Sequence, residues 1–557
     1  MSRARAALAL LLAPLGLALG CGGDDGPGPD AAPPTGPAGV HVDRYVYDID
    51  LETRASASTL HLRVVTPGDC ITLANRNPTL AASAVTLDGQ PARVTLTPTT
   101  VTACGVGWAA GTDVVLAAHM QQNLGTLGGS QVGYSVGNDS LGQPVYYLVS
   151  WVNGCDKFGP CDPSPSAFAH YTITVRHREG VRALCPGRIT AAPTVTSCEF
   201  DLAGGPTYST FGMIANASWQ ETSLGMWDSV RATLWARPGS GVPALIDPAY
   251  QRGFLAWMAQ RFGPYPYGDE LRIVVAPTYW SGFEHPGNIV LDEGLSRPFG
   301  QVYLHPVAHV LAHELAHQWA GDQTTLADTY DFVWKESMAE YLSFLYEAEV
   351  DAPAAVITNA YWKNAARGAR YHPVPEDRPA LFDYYGDVYG PGPMVLFRQL
   401  EAMTSRQQVV DAIKMLLGRK RAISIDDVQA ALEATTGLDL DRYFDIWVKG
   451  TGAPTWATFT VAVSGSPPTQ QVAVTETGAV RHPCDFAVEL RGAGGETSKV
   501  RVVRGLDPAA TVTVPTTVAW PVTSTVLDPD SECLAFAPAA APVPLHPPGW
   551  SPWRSAQ

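Results

Sequence analysis

HELAHQWAG, residues His313 to Gly321, and WKESMAEY, residues Trp334 to Tyr341, decide how this sequence is read. His313 and His317 stand four apart within a stretch, Pro306 to Gly321, whose apolar residues recur at three- and four-residue spacing, which predicts a helix. Residues four apart on a helix lie one turn apart on one face. Both imidazoles can therefore point at one metal ion while Glu314 projects toward the same cleft. Eighteen residues, 318 to 335, separate His317 from Glu336, which opens a second helical segment. Two imidazoles and a carboxylate leave the fourth position of a zinc site open for water, as catalysis requires. The competing layout, HExxHxxGxxH, needs Gly at 320 and His at 323, whereas the sequence has Ala320 and Gln323. His305 and His309 are not needed as ligands, and His309 is expected on the helix surface or beside a ligand. Glu340 is expected to support a ligand or to face solvent.

Outward from this motif the pattern stays helical from Asp247 to about Lys449, with further periodic stretches at Phe332 to Val350, Met394 to Met403 and Ser424 to Thr435. Ser424, Asp426 or Asp427 suits a helix N-cap. From Tyr45 to about Met213 the chain is Thr/Val-rich and alternating, as in Leu60 to Val65 and Tyr171 to Val175, which reads as antiparallel sheet. The alternation returns after Pro454, in Ala457 to Val463, Val500 to Val503 and Thr511 to Val514. The order is a β domain, a mostly helical domain and a small β domain, with no internal repeat of the solenoid or propeller kind.

The 557 residues carry 37 Lys+Arg against 53 Asp+Glu, a formal charge of −16, with the short run Arg419-Lys420-Arg421 as the longest basic stretch. Such a chain does not bind a phosphate backbone, which needs clustered cations, so nucleic acid is excluded as a partner. Arg3 and Arg5 precede an apolar run, Ala6 to Gly20, too short and too broken by Pro and Gly for a comfortable membrane span, and it reads as a secretory signal. The residues Leu17-Ala18-Leu19-Gly20-Cys21 resemble the lipobox of bacterial lipoproteins, with Ala18 where the strongest such motifs have Leu. This implies lipidation of Cys21 and anchoring to a membrane of the cell envelope, with the Gly/Pro/Asp stretch from Gly22 to Gly39 as the spacer. Of nine cysteines, eight then remain for an oxidising compartment. Sequence alone leaves about 105 pairings open. Nearest-neighbour pairing, Cys70 with Cys104, Cys155 with Cys161, Cys185 with Cys198 and Cys484 with Cys533, is expected because short loops close easily and each pair stays within one domain.

With its glutamate after eighteen residues, the HExxH motif resembles that of the aminopeptidase N and leukotriene hydrolase family of gluzincin zinc metallopeptidases. Other segments resemble that family in order. Phe262 to Tyr267 resembles its PYPY-type segment, Ser281 to Gly287 its GxMEN exopeptidase motif, Tyr389 to Leu396 its YxKG segment, and Trp447 with Pro454 the close of its catalytic domain. Tyr47 to Asp50 resembles the opening strand, and Pro160-Cys161-Asp162-Pro163 the PCFDEP segment of the N-terminal domain. The resemblance implies a multidomain α+β fold with an N-terminal antiparallel β domain (41–215), a thermolysin-like catalytic domain (216–453) and a small β-sandwich (454–540). Residues 1–20 form the signal, 21–40 the linker and 541–557 a Pro-rich tail.

It also implies one Zn2+ held by His313, His317 and Glu336, with Glu314 as general base and Tyr389 as donor to the oxyanion. Tyr384 and Tyr385 compete for that last role, and Tyr389 is preferred because Gly392 and the following apolar helix match. Glu284, with Gly282 and Phe283, would bind the free α-ammonium of a peptide, making the chain an aminopeptidase, expected as a monomer. Three departures bear on this. Trp151 stands where the family places a second carboxylate or amide for the amine. His285 replaces the Asn of GxMEN, and Lys335 replaces the Asn before the zinc glutamate. No counterpart of the family's large C-terminal helical domain follows, so a more open cleft is expected. A gluzincin endopeptidase or restricted peptidase with weakened amine recognition is the alternative within enzymes. The alternative outside them is a surface binding protein on the same fold, which would have no need of the general base.

Overall fold

The computed structural model describes residues 35–125, 130–296 and 303–538. The signal, Cys21, most of the linker and the Pro-rich tail lie outside these.

The N-terminal region is built on an eleven-stranded sheet. Its opening strand, Pro37–Asp50, buries Tyr45, Tyr47 and Ile49 on alternate positions, and its neighbour Ala55–Thr66 buries Leu60, Leu62 and Val64. This period of two puts one face of the sheet into a core. The pairing is not purely antiparallel as expected: Pro37–Asp50 runs parallel to Phe168–Arg176, with Tyr45 opposite Tyr171. A parallel partner needs a long crossover, and the chain between these strands provides one. A separate four-stranded sheet contains Pro144–Val149 and Gly212–Asn216. Its strand Pro144–Val149 leads directly to Trp151.

The middle region departs from the helical expectation at its start. A five-stranded mixed sheet precedes the motif helix, with Val230–Ala236, Glu270–Ala276 and Asn288–Asp292 parallel and the short edge strand Gly282–Phe283 antiparallel to the last. Leu271 to Ala276 is buried throughout, as suits a strand covered on both faces. Four helices frame the site: α1 (Pro248–Phe262), α2 (Pro306–His317), α3 (Phe332–Val350) and α4 (Ala352–Ala366). Pro306 opens α2 at a position where its missing N–H costs no hydrogen bond. Every residue of α3 from Phe332 to Glu347 is buried, the mark of a helix packed on all sides. Trp319, Trp334, Trp362 and Trp447 are fully buried in this region, and truncating any one to Ala would cost about 3–5 kcal/mol. The helix Ile425–Thr436 is capped by Ser424, whose side chain accepts from Asp427 N while Asp427 accepts from Ser424 N.

After Pro454 the chain forms two sheets of four and three strands, joined in their interior by Phe459 against Phe486 at 5.1 Å. Trp447 Nε1 donates to Pro483 O at 2.7 Å, and Asn359 of α4 donates to Asp530 O and Ser531 O, so this part is fastened to the helical region. All four disulfides join the expected nearest neighbours. No helix among the described residues is long and apolar enough to cross a membrane.

Candidate metal centre and active site

α2 and α3 bring together the residues that the spacing singled out. His313 Nε2 and His317 Nε2 lie 3.3 and 3.4 Å from Glu336 Oε2 and 2.9 Å from each other. The far nitrogens are taken: His317 Nδ1 lies 3.0 Å from Ala320 O, and His313 Nδ1 lies 3.3 Å from Glu340 Oε2. Donation of Nδ1–H to these oxygens fixes the tautomer and turns both Nε2 lone pairs inward. Three ligand atoms then converge, and their mutual approach calls for a positive charge among them, a proton or a metal ion. Two imidazoles and a carboxylate oxygen are a donor set suited to zinc. Burial by itself would lower the His313 pKa, but hydrogen bonds with Glu336 and Glu340 carry it up to about 10. A divalent cation answers the same negative charge without the proton.

Glu340 is buried, neither solvated nor a ligand, and it lies between His313 and His309. His309 is also buried rather than on the helix surface, with Nε2 2.7 Å from Glu340 and Nδ1 2.9 Å from Glu347. A ring with carboxylates at both nitrogens donates from both and is an imidazolium. Burial opposes that charge, yet Glu347 and Glu340 raise its pKa to about 9. His305 occupies the position before α2 at the surface without capping it, and its ring lies 3.2 Å from Asp351.

Glu314 is buried beside the ligands and lies under the edge strand Gly282–Phe283. A Cβ on Gly282 would sit 2.3 Å from Glu314 Oε1, so only glycine lets that strand pass over the carboxylate. Burial, reinforced by Glu284 and Glu336 against His313 and Lys335, pushes the Glu314 pKa up to about 8, near the working range of a general base. Tyr389 lies with its ring 6.1 Å from that of His313, and its hydroxyl is 2.6 Å from that of Tyr385. Tyr384 instead donates to Pro373 O at 2.6 Å and is a packing residue. Gly392 holds this segment against α3, since a Cβ there would come within 2.0 Å of Ser337 Oγ.

Beside Glu336, Glu284 Oε1 lies 3.0 Å from Lys335 Nζ, an ion pair. The same ammonium donates to Glu336 Oε1 at 2.6 Å, so Glu336 turns one oxygen to Lys335 and the other to the histidines. Burial would raise the Glu284 carboxyl, but Lys335 outweighs it and holds the pKa down. Trp151 packs its ring against Tyr385, Phe332 and Trp280 at 4.9, 5.3 and 5.5 Å. His285 is buried, with Nδ1 2.6 Å from Ser209 O and its ring over Gly212, where a Cβ would clash.

One residue that the sequence reading passed over ties the two ends together. Gln318, next to His317, donates to Glu284 O at 3.0 Å and Asp322 Oδ2 at 3.2 Å, and accepts from Gly287 N at 2.8 Å and Tyr265 Oη at 3.2 Å. Its place directly after the second histidine was the only available signal. Tyr265 belongs to the PYPY-type segment, which thereby supports the Glu284 loop.

None of the curated proteins compared with the chain matches it. Residues 250–447, which contain the convergent histidines and Glu336, Glu314, Tyr389 and Glu284, match the Peptidase family M1 domain, and this supports a metallopeptidase, a hydrolase, as the class of the chain.

Proposed function

We propose that the chain is a zinc-dependent peptidase that hydrolyses a peptide bond near the amino end of its substrate. The observation that carries this is the convergence of His313 Nε2, His317 Nε2 and Glu336 Oε2, all within 4.8 Å of one another, beside the buried Glu314. His313, His317 and Glu336 would hold a zinc ion, which would supply Lewis acidity to a water molecule and to the peptide carbonyl. Glu314 takes a proton from the attacking water and returns it to the departing amine nitrogen, so the C–N bond is exchanged for a C–O bond with no other reactant. The Tyr389 hydroxyl donates to the oxygen that gains charge as the carbonyl carbon becomes tetrahedral. Gly282, Phe283 and Glu284 line the amino end of the substrate. A second reading, a restricted peptidase or endopeptidase with weakened amine recognition, is favoured by the Lys335–Glu284 contact and by Trp151.

We further place this activity outside the cytoplasm, with the chain anchored through Cys21. Support comes from the signal-like N-terminus and from the four disulfides.

The test is hydrolysis of short reporter peptides by wild type and Glu314→Gln. Chelator-sensitive turnover is expected, falling about 10²–10⁴-fold in Glu314→Gln with the metal content unchanged. Equal turnover by the two proteins would overturn the mechanism. Absence of chelator-sensitive hydrolysis in wild type would favour a binding protein on the same fold.

A further inference from the structure

Lys335 is a cation built into the cleft. Its Nζ is enclosed, 1% exposed at the side chain, between Glu284 Oε1 at 3.0 Å and Glu336 Oε1 at 2.6 Å. The ring centres of Phe332 and Tyr208 lie 5.0 and 5.9 Å away. The ammonium is therefore a fixed part of the interior. Glu284, the carboxylate best placed to receive a substrate's ammonium, already has a positive partner. A second ammonium would meet a carboxylate whose charge Lys335 already offsets in part, with that like charge beside it, in surroundings where charges are weakly screened.

The wall next to this pair points the same way. Trp151, brought in at the end of the strand Pro144–Val149, contributes an indole, which has a hydrogen-bond donor and no acceptor for an N–H. Its neighbours Trp280, Phe332 and Tyr385 are buried, so a group placed against this wall loses water without gaining an anionic partner. That penalises an ammonium far more than an amide. An amide N–H still donates to a carboxylate oxygen at Glu284 and adds no charge to the site.

We propose that Lys335 is the internal counter-cation of Glu284, and that the cleft consequently selects peptides whose nitrogen at this position is an uncharged amide rather than an ammonium. The proposal rests on the peptidase reading above and names its substrate class. The amide can belong to an N-acyl cap or to a preceding residue of the chain.

Three peptides with the same scissile bond test it: one with a free amine, one N-acetylated, and one extended by two residues upstream. Wild type is expected to cleave the acetylated or the extended peptide with kcat/KM about tenfold or more above the free-amine peptide. Whichever of these two is the better assigns the amide to a cap or to a preceding residue. Lys335→Asn is expected to move the ratio about tenfold toward the free amine. Equilibrium binding of the same peptides to Glu314→Gln, which reads recognition without turnover, should follow the same order. A wild-type preference for the free amine, or an unchanged ratio in folded Lys335→Asn, overturns the proposal. If Lys335→Asn does not fold, the wild-type ratio and the binding order decide alone. Absence of hydrolysis of all three peptides would instead sink the peptidase reading, and the binding order would still judge the charge preference.

Discussion

At one end of the cleft, His313, His317 and Glu336 turn three acceptors toward a common point. At the other, Glu284 faces a lysine 3.0 Å away. The two ends share α2, α3 and the carboxylate of Glu336, yet the first leaves a charge to be supplied and the second has its charge supplied from within. The difference teaches that the chemical step and the choice of substrate can be read separately here. The atoms for hydrolysis match the pattern of their motif, and the atoms for recognition carry the departures.

Changes at the metal end should have the largest effects. Tyr389→Phe removes a single donor to the developing oxyanion and is expected to lower kcat about 10²–10³-fold with KM moving far less, measured by steady-state kinetics. Tyr385→Phe, which removes only the partner of that hydroxyl, should cost much less. A comparable loss in both variants would break the assignment of Tyr389. Glu340→Gln loosens the orientation of His313 and should weaken zinc affinity about 10–100-fold in a chelator competition, leaving turnover at saturating zinc nearly intact.

Changes at the recognition end should redistribute substrates instead. Trp151→Gln introduces an acceptor into the aromatic wall and is expected to raise the free-amine to acetylated ratio by about threefold to tenfold, with kcat on the best substrate little changed. A fall in turnover on every substrate would mean that the aromatic wall supports the chemistry as well, erasing the distinction between the ends.

The smallest effect on turnover is expected from His309. Its folded pKa, raised to about 9 from an ordinary 6.5, stabilises the protein fully below pH 6.5 and ceases to do so as pH rises through 9. The stability gap between wild type and His309→Gln, from denaturant unfolding of the zinc-loaded proteins, should therefore narrow from pH 6 to pH 9.5. A gap that widens with pH would show that the imidazolium is not what holds Glu340 and Glu347.

How much of this was legible in the sequence differs between the same two ends. The helical period of α2 and α3 and the eighteen-residue gap located the metal end, because ligand spacing on a helix is a local property. Nearest-neighbour order within each domain made the four disulfides readable for a similar reason. Of the sheet at 220–292 only Leu271 to Ala276 reads as strand-like in the sequence, because buried parallel strands give continuous apolar runs instead of alternation. Lys335 was visible as a substitution, but its partner was not, since Glu284 lies 51 residues away and only the packing of the edge strand on α2, and of α2 on α3, joins them. Gln318 escaped because a glutamine in a helical stretch has no pattern of its own.

The disulfide Cys155–Cys161 closes a loop four residues beyond Trp151, in the segment that Arg76 also clamps through Asp156. The metal end contains no cysteine. Production of this chain in a reducing cytoplasm would therefore leave zinc uptake and Glu314 in place while loosening the aromatic wall. Such a preparation is expected to pass an assay for metal content and to mislead one for specificity.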